Sequence, residues 1–205
     1  MSIMSSPGIL ITGGKGQAST TTELYVPADL GPVPAEMLHC SMPDLPKGTF
    51  GHSQDGFTVC GGYGMGERCY TLTEGVWERT YSWTGPPRSY HVSWSSAQGI
   101  YLMGGSGSYA ATGTTSTLLR AGGAEVGFKL INPTVNSCSI QLADSVIVTG
   151  GHIHLPYADG RQVVRYFSNG THQVLPSLLS ARQDHSCGSY EYKGNQVWVE
   201  ENAGR

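Results

Sequence analysis

The sequence has few charged residues, no block of basic residues and no long apolar run. Charged residues make up 13% of its 205 positions, about half of the ~25% found in typical globular domains. Long surface helices need Lys and Glu on their outer faces, so this composition argues against a helical protein. The 12 Lys and Arg residues are scattered and the formal net charge is −3, which argues against a nucleic-acid-binding surface.

Two kinds of apolar segment are also missing. No uninterrupted apolar run approaches the ~18 residues of a membrane-spanning helix. The first ten residues, MSIMSSPGIL, lack the charged and apolar regions of a signal peptide. We therefore expect no membrane span and favour a cytoplasmic location, with a secreted parent protein as the alternative.

What the sequence has in quantity is glycine, with 29 residues. The apolar fraction of 39% is enough for a packed core in a chain of this length. Abundant glycine with little charge is typical of short strands joined by tight turns. The composition therefore predicts an all-β fold, in one domain spanning 1–205.

One short pattern occurs four times, an apolar strand that ends in two glycines. The copies are ILITGG from 9, FTVCGG from 57, IYLMGG from 100 and VIVTGG from 146. The glycine pairs, 48, 43 and 46 residues apart, are Gly13 and Gly14, Gly61 and Gly62, Gly104 and Gly105, and Gly150 and Gly151. A nearly fixed period in this range indicates a repeat architecture.

The second copy predicts four antiparallel strands. HSQDG and FTVCGG form two strands around an Asp-Gly turn, ERCYTL forms a third, and VWERTY forms a fourth after a TEG turn. These segments alternate with period two, which favours strands over helices. One four-stranded sheet cannot bury both of its faces, so we expect the repeats to stack side by side.

These features resemble the kelch-repeat β-propeller family, whose marks are a glycine pair, a Tyr shortly before a Trp, and an Arg ahead of the next inner strand. The second copy has all of these marks: Gly61, Gly62, Tyr70, Trp77 and Arg88. The resemblance implies a kelch-type β-propeller with about four four-stranded antiparallel blades. It also implies structural roles, with the glycines at packing corners and Tyr70 and Trp77 filling the wedge between blades.

The completeness of the propeller stays open at this point. Segment 196–205 is a degenerate fifth copy, in which Glu201 and Asn202 stand where a glycine pair is expected. A complete four-bladed ring would pair a strand at 185–192 with one at 9–14. We favour a partial propeller, whose open strand edge would allow self-association.

Two further features leave alternatives open. The cysteines match no zinc-site spacing, and they are Cys40, Cys60, Cys69, Cys138 and Cys187. We expect free buried thiols, with one or two disulfides in a secreted parent as the alternative. Asn169-Gly170-Thr171 fits both an N-glycosylation site and a hairpin turn, and we favour the turn.

Four residues are candidates for binding. In adaptor members of the kelch family the Arg ahead of the inner strand often points into the recognition face, which makes Arg88 and Arg182 candidates. Hydrogen bonding to backbone between blades is an equal alternative for them. His152 and His154 would lie on one side of an extended segment, as metal ligands do, but no third ligand is visible and a polar loop is favoured.

The sequence therefore predicts a non-catalytic protein–protein interaction module that presents blade loops to an unidentified protein or peptide. We expect no catalytic residue, metal or cofactor. The segment GGKGQAST (13–20) lacks the Gly-Lys-Ser/Thr of a phosphate-binding loop. The alternative is a secreted propeller resembling galactose oxidase, which binds carbohydrate or carries a metal-dependent oxidase activity and needs a Cys cross-linked to a Tyr.

Overall fold

Sixteen strands account for nearly all regular structure in the computed structural model, which describes residues 9–14, 19–25, 42–107, 113–151, 160–192 and 195–201. The strands are β1 Ile9–Thr12, β2 Thr22–Tyr25, β3 Ser53–Asp55, β4 Thr58–Cys60, β5 Arg68–Thr73, β6 Val76–Ser82, β7 Val92–Ser96, β8 Gly99–Met103, β9 Thr115–Arg120, β10 Gly123–Lys129, β11 Cys138–Gln141, β12 Ser145–Thr149, β13 Val163–Phe167, β14 His172–Val174, β15 Ser186–Tyr192 and β16 Asn195–Glu201. The all-β prediction is confirmed.

The strands form three four-stranded sheets and two two-stranded ones. Each four-stranded sheet is an antiparallel meander, with orders β3-β4-β5-β6, β7-β8-β9-β10 and β11-β12-β13-β14. The four strands predicted for the second copy are β3 to β6. The remaining sheets are β1-β2 and β15-β16, and the whole arrangement is consistent with a propeller-like fold.

Tight turns set the register of neighbouring strands. In the hairpin between β13 and β14, the Gly170 backbone has a φ of 82° and the Phe167 amide donates to the Thr171 carbonyl over 3.0 Å. The Asn169 Oδ1 atom accepts from the Thr171 amide over 3.0 Å. The predicted hairpin turn at Asn169-Gly170 is therefore present.

The first strands of successive sheets lie next to one another. β3 contacts β7, β7 contacts β11, and β11 contacts β15. We call the line along which these inner strands meet the axis. Because the sheets fan out from it, each four-stranded sheet can bury a face against the next one.

Apolar side chains fill the space between neighbouring sheets. Trp94 and Tyr101 of β7-β10 stack with ring centroids 5.2 Å apart, and they cluster with Val146 and Tyr166 of β11-β14. Burying each such side chain contributes about 2 kcal/mol. Tyr70 and Trp77 are both buried, in a cluster that also contacts Leu10 of β1-β2.

At the two ends of this series, the described strands pair only within their own hairpins. β1 pairs with β2, and β15 pairs with β16. The pairing between the 185–192 and 9–14 segments, which the four-bladed ring needs, is not among the described pairings. β16 pairs with the edge of β15 that the 9–14 segment would need.

Two disulfides correct the expectation of free thiols. Cys60 and Cys69 are bonded across neighbouring strands β4 and β5, and Cys138 and Cys187 join inner strands β11 and β15. The expectation is wrong for these four residues because pairing depends on strand register and sheet order. Cys40 lies outside the described residues.

Candidate functional site

The glycine pairs hold each sheet against the loop that leads into the next inner strand. The second glycine of each pair donates its amide to a carbonyl in that loop. The donor–acceptor pairs are Gly14 to Thr49 at 3.0 Å, Gly62 to Arg88 at 2.7 Å, Gly105 to Thr134 at 2.6 Å, and Gly151 to Arg182 at 2.8 Å. These four equivalent bonds place the loops at one end of the axis.

The first glycine of each pair is needed for this close approach. A Cβ atom at Gly104 would lie 2.2 Å from the Thr134 carbonyl oxygen, and one at Gly61 would lie 2.7 Å from the Arg88 carbonyl oxygen. Gly104 also has a φ of 69°, in the left-handed region that disfavours other residues. The glycine pairs are therefore packing corners.

In three of the four loops, a histidine stands three residues after the residue whose carbonyl accepts the glycine amide. The Nε2 atoms of His52 and His185 lie 3.0 and 2.8 Å from the hydroxyls of Thr12 and Thr149. His91 Nε2 lies 2.8 Å from Ser53 Oγ. Each imidazole is thereby tied to a hydroxyl of the preceding sheet, which is a structural arrangement.

Burial keeps His91 neutral. Desolvation, followed by the nearby charges of Arg88 and His52, lowers the pKa of His91 to about 3. Desolvation also lowers the pKa of His52. Since a protonated imidazole is costly to bury, these corners weaken when the unfolded chain takes up protons.

The residues directly ahead of the four corners follow one another along the axis, joined by backbone hydrogen bonds. These residues are Gly51, Tyr90, Asn136 and Asp184, with φ values of 64°, 55°, 56° and 51°. Each of the last three donates its amide to the carbonyl of the preceding one: Tyr90 to Gly51 at 2.6 Å, Asn136 to Tyr90 at 3.0 Å, and Asp184 to Asn136 at 3.0 Å. No bond between Asp184 and Gly51 is among the described ones, so the series is open at that point. We call these four residues the axial ring.

Tyr90 is the unusual member of the axial ring. Gly, Asn and Asp tolerate left-handed backbone, whereas a bulky aromatic residue there is an outlier that a structure retains against strain. A Cβ at Gly51 would lie 3.0 Å from Tyr90 Cε1, so the phenol ring lies over the glycine. The absence of a side chain at one ring position thus makes room for the aromatic side chain of the next.

Tyr90 belongs to a cluster of three aromatic rings, which we call the aromatic cluster. Phe50 and Tyr63 stack with centroids 4.6 Å apart, and Tyr90 meets them edge-on at 6.5 and 5.8 Å. Tyr63 is 49% exposed. It also lines a cavity of about 360 Å³ with Ser89 and Ser106, so the cluster extends the axial ring into an open surface.

The other two side chains of the ring supply hydrogen-bond acceptors. Asn136 Oδ1 is buried and has no hydrogen-bond partner, and the neighbouring Asp184 carboxylate is exposed. Desolvation raises the pKa of Tyr90, and the charges of Tyr63 and Asp184 raise it further. Asp184 therefore lies near enough to Tyr90 for its charge to act on the phenol.

The opposite end of the axis is different because its polar groups satisfy one another. The Asp55 carboxylate accepts hydrogen bonds from Ser95 Oγ and, over 3.2 Å, from Gln141 Nε2. Gln141 Oε1 in turn accepts from the Ser95 amide over 3.2 Å. Of the two ends, the axial ring is the one that has a buried side-chain acceptor, Asn136 Oδ1, with no hydrogen-bond partner.

The predicted binding residue Arg88 is inside the protein, with 4% of its surface exposed. Its guanidinium donates to the carbonyls of Gly104 and Thr115 over 2.6 and 3.1 Å, and to the Thr115 and Thr117 hydroxyls over 2.8 and 3.1 Å. These acceptors belong to the sheet that Arg88 itself leads into, so its side chain braces one sheet. Burial lowers the pKa of Arg88 to about 10.

Arg182 occupies the same position of the repeat as Arg88, but its side chain lies beside a cavity with apolar walls. It is half-buried and lines a cavity of about 510 Å³ together with Ile140, Ile147, Leu175 and Leu178. The structure therefore does not bring Arg88 and Arg182 into one shared basic site. His152 and His154 lie outside the described residues.

Sequence reasoning missed the axial ring. Its members have no residue type in common, and only their place directly before His52, His91, Ser137 and His185 unites them. Asn and Asp are enriched in left-handed conformations, which is the signal that would have pointed to Asn136 and Asp184. Tyr90 gives no such signal.

The described ranges contain neither a cluster of metal ligands nor a membrane-spanning helix. No three His, Cys, Asp or Glu side chains within them lie close enough together to hold a metal ion. Within the same part of the chain, no helix has the length and hydropathy to span a membrane.

The fold resembles solved structures although the sequence matches neither a protein-family model nor a curated protein. One similar solved structure, "Structure of YjhT", superposes with a TM-score of 0.69 at 11% sequence identity. The alignment covers 91% of this chain and 68% of that chain. At this identity the likeness supports the propeller-like fold alone.

Proposed function

We propose that this chain is a non-catalytic binding module of the kelch type, whose recognition face consists of the axial ring and the aromatic cluster. The partner is a protein or peptide. The observation that carries the proposal is the ring itself, in which equivalent backbone bonds link three successive residues that bear a phenol, an amide and a carboxylate.

In the ring, backbone atoms hold the structure together and side chains are available for recognition. Its hydrogen bonds are made by backbone atoms, so they do not require particular side chains. Side chains at such positions are free to serve a partner, as is usual for loops on a rigid β scaffold. The strain at Tyr90, on the order of 1–2 kcal/mol for a left-handed residue, supports a use for its phenol beyond folding.

The use of the cysteines and histidines favours binding over oxidase chemistry. Cys60, Cys69, Cys138 and Cys187 are all in disulfides, so none of these four has a thiol left for a cross-link to a Tyr. The imidazoles of His52, His91 and His185 hydrogen-bond to hydroxyls at the sheet corners.

The two disulfides support one part of the alternative reading, a secreted protein. Disulfides persist in oxidising compartments and are rare in the cytosol. We therefore place the binding module outside the cytoplasm as part of the proposal, in preference to the cytoplasmic location expected above. Self-association through an open strand edge stays a prediction.

The test is selection of binding peptides from a random display library against the full chain. Selected peptides are then measured against Tyr63→Ser and Asp184→Asn, which change the proposed face, and against Val126→Ser. Val126 is 93% exposed on β10 and serves as the matched control. We expect at least tenfold weaker binding to both face variants and unchanged binding to Val126→Ser.

Peptides that bind both face variants as well as they bind the natural chain would overturn the proposal. Arg88→Ala is unsuitable for this purpose because it removes a buried guanidinium that bonds to the carbonyls of Gly104 and Thr115. Lost binding there would report a disturbed fold.

A further inference from the structure

We propose that the axial ring receives a guanidinium or ammonium group, carried by an Arg or Lys side chain of the partner. This inference rests on the proposed function, because it assigns a ligand chemistry to the same face. It follows from three features of the ring: an unpaired buried acceptor, an exposed carboxylate beside it, and aromatic rings with accessible surface.

The unpaired acceptor indicates a ligand that donates hydrogen bonds. Asn136 Oδ1 is buried without a partner, and buried polar atoms in native proteins are nearly always hydrogen-bonded. Asp184 follows directly in the ring, since its amide donates to the Asn136 carbonyl over 3.0 Å. An amide oxygen and a carboxylate together match a group with several N–H donors, as in guanidinium.

The aromatic cluster favours a charged donor over a neutral one. Cations bind against the faces of Tyr, Trp and Phe rings because these faces carry negative charge density. Tyr63 is 49% exposed, and Tyr90 meets its ring edge-on at 5.8 Å. Asp184 adds a full negative charge whose influence reaches Tyr90.

Two of the chain's own arginines lie near the face: Arg88 lines the cavity beside Tyr63, and Arg182 lines a different cavity. Arg88 is buried and donates to Gly104, Thr115 and Thr117. Arg182 is two residues before Asp184 in sequence, but its side chain lines the cavity beside Ile140 and Leu178. In this proposal the cation that complements the ring is supplied by a partner.

The test uses three small probes of similar size: n-butylguanidinium, n-butylammonium and the neutral n-butylurea. Each is titrated into the full chain while backbone amide shifts are followed by two-dimensional NMR. We expect saturable shifts at Tyr90, Asn136 and Asp184 with both cations, and at least tenfold weaker binding of the urea. Raising the salt concentration is expected to weaken the cation binding, because exposed charges are screened.

Two variants locate the site. Asp184→Asn keeps a residue that tolerates left-handed backbone while removing the charge, and we expect at least tenfold weaker cation binding. Glu125→Gln removes a carboxylate from the exposed pair with Arg120, and we expect no change. Tyr90→Gly relaxes the left-handed backbone, so it is expected to stay folded and yet to bind the cations more weakly.

Equal binding of urea and cations, or unchanged binding by Asp184→Asn, would overturn this inference. The display selection separates its failure from that of the proposed function. Peptides that depend on Tyr63 and Asp184 but contain no Lys or Arg would refute the cation site and support the binding face. Peptides that ignore both residues would refute the face, whereas probe binding at the ring would still support a cation site.

Discussion

One position of the repeat is buried in the middle sheets and exposed at the first sheet. It is the second residue before each glycine pair, and it is occupied by Val59, Leu102 and Val148 in the four-stranded sheets and by Ile11 in β1-β2. The first three are 0%, 0% and 5% exposed, and Ile11 is 50% exposed. The same local pattern therefore gives opposite environments.

The neighbouring sheet makes this difference. Leu102 packs in a cluster with Cys60, Cys69 and Trp83 of the preceding sheet. Among the described residues, no sheet covers the equivalent face of β1-β2. In stacked repeats, the free energy of folding is a sum of contributions from contacts within each repeat and from contacts between neighbouring repeats. Ile11 lacks the contacts with a neighbouring repeat.

The largest expected effect comes from breaking a corner between middle sheets with Gly104→Ala. The new Cβ would lie 2.2 Å from the Thr134 carbonyl oxygen at a φ of +69°. We expect a loss of more than about 3 kcal/mol of unfolding free energy or no folded protein, because the contact is with backbone. Urea denaturation followed by Trp fluorescence measures it.

Gly66→Ala is the matched control for this change. Gly66 has a φ of +64° and nothing within 4 Å of an added Cβ, so it has the left-handed strain without the collision. We expect a cost of about 1 kcal/mol. Equal costs for the two variants would show that backbone conformation, and not contact between sheets, makes the corner.

The next effect compares equivalent side chains directly. Leu102→Ala is expected to cost about 2–5 kcal/mol, the range for deleting a buried Leu side chain. Ile11→Ala is expected to cost less than about 1 kcal/mol because Ile11 is already half in solvent. Urea unfolding midpoints with unchanged slopes are the measurement, and similar costs at the two positions would contradict the contrast between covered and uncovered faces.

The smallest effect near neutral pH concerns the corner histidine His91. Its folded pKa of about 3 is below the unfolded value of ~6.5, so the unfolded state binds the proton first. Stability is full above pH 6.5 and falls by about 1.4 kcal/mol per pH unit as the pH drops toward 3. Below that the loss levels off.

His91→Gln isolates this contribution. Glutamine can still hydrogen-bond to Ser53 but does not titrate, so we expect a flatter decline of stability between pH 6.5 and 4 than in the natural chain. Stability is measured by thermal unfolding of both chains over that range. The contribution of the carboxylates cancels in the difference, because both chains contain them. Parallel curves would mean that folding does not lower the pKa of His91.

Much of the fold was predictable because its signals are local. Strand period, Asp-Gly and Asn-Gly turns and the glycine spacing depend on residues close together in the chain. They predicted the four strands of β3-β6 and the turn at Gly170. Pairing between β15 and β16 was not predictable, since two segments suit the same edge and only the assembled sheets decide between them.

The candidate site was far less accessible to sequence reasoning. Arg88 and Arg182 occupy equivalent positions, yet one is buried and braces a sheet while the other lines a cavity. A repeat pattern states that two positions correspond, but it does not state what surrounds them. Burial and hydrogen-bond partners depend on residues from different repeats.

The sequence by itself determined the all-β class, the period of the repeat and the glycine corners, because each follows from backbone conformation and short-range spacing. Only the tertiary structure decided the Cys60–Cys69 and Cys138–Cys187 disulfides, the burial of Arg88 and the axial ring. The two disulfides join residues 9 and 49 positions apart. The Cys60–Cys69 bond depends on the pairing of β4 with β5, and the other features exist only after the sheets have stacked along the axis.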